Sequence, residues 1–440
     1  MGKKNLGTAT AVTSMVRQNS VIIEVGGSIR RIALEDFIEA INKGNREFLL
    51  SSAWGVPLKQ NQSSPDWGLV GNVDLFLAYR YGGGRYLVTS DGKAAKLSIY
   101  DSSVYADGTP LDETKGNVMV VFPDLYYKVE RRSEYDILWM SPLPISEFCI
   151  KRPVIGAYKG SIAGSGSSSK LVSRSGVVPA NNKTISEFWA AAQKNSTNWG
   201  ITSYEHRKFM MMLGLSLEGA GLTNSYKRTT WHGVTGSNGE MGNSARSLLT
   251  GATKEYGDAE IAIPFTWLKD NGEQVENAQR ISLCGIEDPF GWMNEMIQGI
   301  YCGSSENQEQ DGTEVFIYQG NRMPTSAELT THPSGQYEIV TRLTTGGFIK
   351  EEIIGDEFDL IPKVTGGDGV GSSSYWCDQT FSGANGQLVL WGGNAGHRAG
   401  AGLAFLDINN GFGLSNQNIS ARLAYYGDLQ FVEGADIARN

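Results

Sequence analysis

The chain has 440 residues, of which 40% are hydrophobic and 19% are charged, so it can bury ordinary cores and its length favours two or three domains. Its formal net charge of -9 disfavours a nucleic-acid partner, because phosphate binding needs a basic patch. No apolar run approaches the roughly eighteen residues of a membrane-spanning helix, so we expect no membrane insertion.

The first fifty residues read as a small module of their own. Ser20–Val25 and Ser28–Ile32 have strand character and flank a Gly-Gly turn, which is a hairpin signal, while Leu34–Ile41 has helical spacing. The basic start is followed by no apolar run, so we expect no Sec-type signal. Fifty residues make a poor independent core, which favours packing on a partner or on copies of the same chain. An ordinary subdomain folded onto the rest of the chain remains the alternative.

Residues 51–115 carry many turns and predict a β-rich connecting module. We predict strands over Val73–Tyr79, Tyr86–Thr89 and Lys96–Tyr100, with the first two flanking the triple glycine at residues 82–84. A phosphate-binding loop would need a following Lys-Ser or Lys-Thr pair, which this stretch lacks. The glycines therefore indicate a hairpin tip.

Residues 116–440 have a more compact character. Two helices are predicted, Ile185–Lys194 and Tyr204–Leu217, and Thr184 with Glu187 forms a capping-box pattern before the first of them. The predicted strands before and after the helices are Val118–Phe122, Leu125–Val129, Asp136–Met140, Arg152–Tyr158, Glu314–Gln319, Gln336–Leu343 and Asp356–Ile361. The fold class expected from this pattern is α+β.

Two sets of residues could carry chemistry. Glu287, Asp288 and Glu295 could supply an acid pair, but helix-end capping and the burial of Trp292 beside a strand explain them without catalysis. The chain has four cysteines, with no CxxC spacing and no clustering with the four histidines, so buried free thiols are the simpler interpretation and zinc is not expected.

The segment Ser374–Gly427 reads as a scaffold that displays polar loops. Gln387–Trp391 and Ala421–Tyr426 have strand character, Leu403–Leu406 is a third buried strip, and Gly, Asn, Ser, Asp, His and Arg lie between them. Binding residues usually lie on such loops.

Several stretches together resemble the C-type-lectin-fold proteins of phages and bacteria, including the variable proteins of diversity-generating retroelements. The stretches are GNVMVVFPDLYYKV, ISEFCIKRPVIGAYKGS, SGVVP, NWGITSYEHRKFMMML, CGIEDPFGWMNEMIQGI and ISARLAYYG, and together they cover roughly residues 110–430. TATAVTSMVRQNSVIIEVGGSIRRIALEDF is similar to the virion-attachment starts of phage fibre proteins, especially those of gut Bacteroides phages.

The resemblance implies an α+β, C-type-lectin-like and formylglycine-generating-enzyme-like receptor-binding domain over residues 116–440. It implies two helices and many short strands in that domain, after a virion-anchoring or oligomerisation module at 1–50 and the β-rich module at 51–115. It further implies a phage fibre or tail-tip adhesin that is a homotrimer and is held on the virion by other virion proteins. Such a protein attaches the phage to its host by binding a glycan or a protein on the bacterial surface.

The resemblance also implies a receptor-binding face between the last strands. The matching positions are Tyr375, Trp376, Asp378, Asn385, Trp391, Asn394, His397, Arg398, Asn409, Asn410, Ser415, Asn416 and Asn418. Aromatic, amide and guanidinium groups suit recognition, because rigid rings give contact area at low entropy cost and the polar groups give directional hydrogen bonds. The alternative for Trp376 and Trp391 is that they belong to the core, with the asparagines supplying turns.

No cofactor, metal or enzymatic activity is expected. The formylglycine-generating enzymes of the same fold need a reactive cysteine pair, which no two cysteines here match, and the Glu-Pro-Asn and Gln-Pro-Asp tripeptides of calcium-dependent lectins are absent. Asp378, Asp407 and Asn409 could ligate a metal, but solvated loop residues are the simpler interpretation. Two alternatives stay open: a mainly structural capsid-decorating head fibre or collar protein, and a glycan depolymerase with Asp378 and Asp407 as candidate carboxylates.

Overall fold

The structure, a computed structural model, describes most of the chain between residues 20 and 439. The described residues are 20–25, 28–33, 46–59, 68–223, 231, 233–234, 248–268, 272, 274–304, 313–318, 323–325, 328, 337–343, 346–353, 355, 359–366, 378–382 and 387–439. Within them the fold is α+β, with many short strands and few helices.

Five α-helices lie in the described ranges. They are α1 (Arg46–Ser52), α2 (Val73–Gly82), α3 (Ile185–Gln193), α4 (Tyr204–Gly219) and α5 (Gly434–Arg439). Short 3-10 helices add one turn each at Glu113–Lys115, Gly166–Ser168 and Lys254–Tyr256, and a longer one spans Ala395–Gly400.

The strands are short and are numbered here in chain order. They are β1 (Ser20–Val25), β2 (Ser28–Ala33), β3 (Trp54–Lys59), β4 (Val70–Gly71), β5 (Gly84–Val88), β6 (Lys93–Lys96), β7 (Asn117–Val121), β8 (Leu125–Glu130), β9 (Tyr135–Ser141), β10 (Cys149–Ile150), β11 (Val154–Gly156), β12 (Ser161–Ala163), β13 (Lys170–Val172), β14 (Trp199–Ile201), β15 (Ile261–Leu268), β16 (Gln274–Leu283), β17 (Ile286–Glu287), β18 (Asn294–Ser304), β19 (Thr313–Tyr318), β20 (Tyr337–Leu343), β21 (Gly347–Ile353), β22 (Ile361–Thr365), β23 (Gln379–Ser382), β24 (Leu388–Trp391), β25 (Leu406–Asn410), β26 (Ile419–Ala421), β27 (Leu423–Tyr425) and β28 (Gln430–Phe431).

Three larger sheets organise the molecule. One has five strands in the order β10-β8-β9-β3-β4, and a second has seven in the order β14-β27-β11-β7-β5-β6-β28. The third has nine strands, with β20-β19-β18-β24-β25-β23-β21-β22 in sequence and β26 paired with β18. The smaller sheets are β1-β2, β12-β13 and β15-β16-β17.

Helix α4 lies in the main core and contacts both β3 of the five-stranded sheet and β18 of the nine-stranded sheet. Every residue from 206 to 218 is buried, and a helix that is buried on all sides needs partners for its polar groups. Ser216 Oγ accepts a hydrogen bond from Trp54 Nε1 at 2.9 Å, and Lys208 Nζ donates to the hydroxyl of Tyr127 at 3.0 Å. Both partners lie in the five-stranded sheet, and the packing of the helix against β18 joins this sheet to the nine-stranded one.

Most of the predicted elements are confirmed. The β1-β2 hairpin pairs antiparallel, although the Gly-Gly turn and the predicted helix Leu34–Ile41 lie outside the described residues. Both predicted helices form, and the capping box of Thr184 and Glu187 is present, with Thr184 N donating to Glu187 Oε2 at 2.7 Å. The strands predicted around residues 120, 127, 138, 316 and 340 also form.

Two strand predictions in the second module are wrong, and so is the predicted hairpin tip, because the glycines at residues 82–84 connect helix α2 to β5. Val73–Tyr79 belongs to helix α2, because Asn72 Oδ1 accepts from Leu75 N at 2.9 Å and caps the first turn. Leu75, Phe76 and Tyr79 then share one buried face at helical spacing. Lys96–Tyr100 is not a strand either, since β6 ends at Lys96 and residues 99 and 100 form an exposed bend.

The boundary predicted after residue 115 passes through two sheets. Strand β3 pairs with β9 over six residues, and β5 pairs with β7 over five. Residues 51–115 and the segments that follow them thus share backbone hydrogen bonds, so a fragment that starts at residue 110 would lose partner strands from both sheets.

Candidate functional site

Two buried side chains hold the loop that follows β24, which we call the display loop (residues 392–405). Trp391 is fully buried, and its Nε1 donates to the carbonyl oxygen of Leu403 at 2.7 Å. Asp378, also fully buried, accepts from Ala404 N at 2.6 Å. Trp391, Asp378 and Asn394 were predicted to lie on an exposed receptor-binding face, but all three are buried, so this prediction is wrong for them. Trp391 matches the alternative of a core residue.

The display loop contains a turn that is capped by its own side chains. Asn394 is buried, its Oδ1 accepts from Gly396 N at 2.8 Å, and its own N–H donates to His397 Nδ1 at 3.0 Å. The imidazole of His397 packs between Phe381 and Phe405, with ring centroids 5.2 and 4.6 Å away. Burial lowers the pKa of His397 to about 4, so the ring is neutral at pH 7.

Arg398 is the exposed side chain at the tip of the display loop. Its backbone has φ 51° and ψ -128°, a region that glycine adopts far more readily than residues with a Cβ. Such a conformation costs about 1–3 kcal/mol and persists only where its surroundings enforce it. A strained backbone suggests a functional position, and at this position the guanidinium of Arg398 is exposed to solvent.

The remaining predicted residues lie along β25 and the segment after it. Asn409, Ser415 and Asn416 are exposed. Asn410 and Asn418 are half-buried, and the structure gives no hydrogen-bond partner among the described residues for Asn418 Oδ1. Tyr375, Trp376 and Asn385 lie outside the described residues. The exposed surface that the structure shows is therefore polar, with Arg398 as its cation.

The candidate metal ligands are not brought together. Strand pairing places Phe381, not Asp378, opposite Asp407, and Asp378 is occupied by the backbone of Ala404. Burial raises the pKa of Asp407 above its usual value. Among the described residues no group of three or more His, Cys, Asp and Glu side chains could hold a metal ion.

The carboxylates near Trp292 form buried ion pairs. Glu295 lies between Lys159 Nζ and Arg422 Nη2, each 2.7 Å from its Oε1, and all three side chains are fully buried. Burial by itself would raise the pKa of Glu295, but the charges of Arg422 and Lys159 hold it below the usual value. The segment after Trp292 is strand β18, so the predicted helix-end capping is wrong.

Glu287 and Asp288 share Arg280. Arg280 Nη2 lies 3.0 Å from Glu287 Oε1 and 2.6 Å from Asp288 Oδ2. Glu287 also accepts from the backbone N–H groups of Gly251 and Thr253, at 2.8 and 2.7 Å. These contacts account for both carboxylates structurally.

A serine and a histidine also meet, at the start of helix α4. Ser203 Oγ lies 2.9 Å from His206 Nδ1, and the Ser203 N–H donates to the same nitrogen at 3.2 Å. Burial lowers the pKa of His206 to about 4, whereas a general base works best with a pKa near the working pH. The same geometry occurs at Asn394 and His397, where a backbone N–H also donates to the Nδ1 of a histidine three residues later. Helix capping therefore explains the contact between Ser203 and His206.

The cysteines in the described ranges are free thiols. Cys284 and Cys302 are buried and Cys149 is half-buried, while Cys377 lies outside those ranges. Burial raises the pKa of all three thiols, to about 11 for Cys149, which disfavours the reactive thiolate.

One cavity involves residues to which the sequence assigned no role. Its wall combines the end of α2, the start of β5, the bend at residues 99–100 and the segment 255–259. Three tyrosines line the cavity, Tyr81, Tyr100 and Tyr256. They are separated in the chain, and no sequence pattern indicates that they lie close together in the fold.

Comparison with known proteins adds no relative. No protein-family model matches the chain, and no curated protein matches it either. Among the described residues no helix is both long and apolar enough to span a membrane.

Proposed function

We propose that the chain is a phage virion protein, a fibre or tail-tip adhesin, that binds a receptor on the bacterial surface through exposed loops of a C-type-lectin-like domain. The N-terminal residues would attach it to other virion proteins, and a homotrimer would raise a weak single-site affinity by avidity. The receptor is a surface glycan or protein. The resemblance of the sequence to phage C-type-lectin-fold proteins is the reason for proposing this class of protein.

The observation that carries the proposal is the construction of the display loop. Trp391, the last residue of β24, and Asp378, which precedes β23, hold its far end, and a capped turn fixes Asn394 and His397. Arg398 is then presented to solvent on a backbone that is already ordered. A rigid scaffold under polar loop residues lowers the entropy cost of binding, which is the physical requirement of a recognition surface.

The test compares binding of the purified full chain and of one variant to candidate host cells. The variant, here called the display-loop variant, replaces four exposed residues with alanine and leaves the buried anchors intact. They are Arg398 in the display loop and Asn409, Ser415 and Asn416 on β25 and the segment after it. Its control replaces Ser133, Glu134 and Arg439, which are exposed elsewhere on the described surface. Far-UV circular dichroism and the unfolding midpoint establish that both variants are folded.

Saturable binding that is lost in the display-loop variant and kept in the control supports the adhesin. If wild type and display-loop variant bind equally, or neither binds, the receptor face is refuted and a structural head-fibre or collar role takes its place. The mass of the purified protein in solution tests the homotrimer separately, and a monomeric mass would remove the avidity argument.

A further inference from the structure

The cavity at the end of α2 has the size of a small-molecule site. Its volume is about 420 Å³, within the range of roughly 300–1,000 Å³ in which proteins bind small ligands. It lies on elements outside the display loop, and no residue of the display loop lines it.

Exposed tyrosines concentrate around this cavity. Four tyrosines are exposed among the described residues, and three of them line it: Tyr81 (66% exposed), Tyr100 (79%) and Tyr256 (40%). Scattered exposed aromatic rings need no explanation, whereas a group of them around one cavity is typical of a binding site.

The walls of the cavity are fixed before any ligand arrives. Asp258 N donates to Ile99 O at 3.1 Å, and Ser102 N donates to Lys254 O at 2.9 Å, so the two loops that carry Tyr100 and Tyr256 are joined through their backbones. Gly257 makes this approach possible, because a Cβ on it would lie 2.1 Å from Ile99 O. Preorganised walls reduce the entropy lost on binding.

The charges around the cavity select against charged ligands. Arg80 is paired with Glu260 through two hydrogen bonds, and its guanidinium lies 4.5 Å from the centre of the Tyr81 ring. A cation that stacks on the Tyr81 ring would meet this guanidinium, whereas an anionic ligand would meet the carboxylates of Glu255 and Asp258.

Two carboxylates line the wall of the cavity. Asp258 Oδ1 accepts from Arg85 N at 2.7 Å, and its Oδ2 is buried against Gly84, out of reach of a ligand. The carboxylate of Glu255 is exposed and can accept from a hydroxyl donor of a ligand.

We propose that this cavity binds a neutral saccharide unit, with its C–H faces against the tyrosine rings and its hydroxyl groups donating to the acidic wall. A saccharide combines an apolar ring face with several hydroxyl donors and carries no charge, which matches the three features of the cavity. The proposal concerns a second site, separate from the display loop, and holds whether or not the display loop is a receptor face.

The experiment measures binding of the full chain to the methyl glycosides of glucose, galactose, mannose and N-acetylglucosamine. Saturation-transfer NMR detects binding at millimolar ligand, and titration calorimetry gives the affinity. Glucuronate and glucosamine serve as anionic and cationic probes of similar ring shape. The variants are Tyr100→Ala and Tyr256→Ala, and Leu268→Ala is the control, since Leu268 is 61% exposed on β15 and does not line the cavity.

We expect at least one neutral glycoside to bind more tightly than both charged probes. Each tyrosine variant should weaken that binding about tenfold, a change of about 1.4 kcal/mol, while the Leu268 variant leaves it unchanged. No binding of any neutral glycoside overturns the proposal, as does binding that survives both tyrosine replacements or a preference for either charged probe. The adhesin test is read separately, because it measures host-cell binding. That binding should be lost in the display-loop variant and kept in the two tyrosine variants of the cavity.

Discussion

Replacing Glu295 with glutamine tests whether this carboxylate has a structural role. The substitution keeps the shape of the side chain and removes the negative charge between two fully buried cations, Lys159 and Arg422. Removing one partner of a buried ion pair costs about 3–5 kcal/mol, because the remaining charge stays desolvated without compensation.

Contacts that survive the substitution place the expected loss near the lower end of that range. Arg422 keeps the carbonyl oxygens of Gly156 and Glu287, each 2.9 Å from its guanidinium nitrogens, and Lys159 keeps the carbonyl oxygen of Met293 at 3.2 Å. We therefore expect the free energy of unfolding at pH 7 to fall by about 3 kcal/mol.

Urea unfolding followed by tryptophan fluorescence measures this loss, and a double-mutant cycle with Lys159→Met separates the ion pair from general disruption of the core. With the lysine removed, the Gln variant should cost less, so the two changes should couple by more than about 0.5 kcal/mol. A loss below about 1 kcal/mol in Glu295→Gln, or strict additivity of the two changes, would refute the ion-pair reasoning.

Three further predictions concern strain and pH. Arg398→Gly should raise the free energy of unfolding by about 1 kcal/mol, because glycine adopts φ 51° without strain, and should reduce host-cell binding; a destabilised variant in thermal unfolding would contradict this. Burial raises the pKa of Asp258 to about 6, so the folded state binds this proton more tightly than the unfolded state, and stability should fall by about 2 kcal/mol as pH rises from 4 to 6. Asp258→Asn should remove this decline in urea unfolding measured across that range. Burial lowers the pKa of His206 to about 4, so its effect on stability has the opposite pH dependence. The folded state favours the neutral imidazole, and this contribution to stability is lost as pH falls from 6.5 to 4. His206→Gln can still accept the capping hydrogen bond, and it should lose less stability than wild type between pH 7 and 4.5.

The elements that the sequence predicted best are those with local signals. Helix α3 begins at a capping box of Thr184 and Glu187, which lie three residues apart and contact each other directly. Helix α2 also has a local signal, a cap at Asn72, but its short apolar run fits a strand as well as a helix. Periodicity alone does not separate the two cases.

The candidate site was harder to predict because burial depends on contacts between distant parts of the chain. Trp391 ends a strand that is buried along its whole length, so alternation along the sequence gives no sign of which face is exposed. The partners of Glu295 are Lys159 and Arg422, more than a hundred residues away on either side. The tyrosines of the cavity come together in the same nonlocal way.

The position of β27 has a consequence for how the protein is made. This strand lies between β14 and β11 inside the seven-stranded sheet, and Ile155 pairs with Ala424. The ribosome therefore synthesises β5, β7 and β11 long before β27, which joins them to β14. Until β27 is made, the edge of β11 that pairs with it has no partner strand. A polypeptide that stops before residue 423 would leave this edge open to aggregation, so assembly would favour chains in which the display loop has already been synthesised.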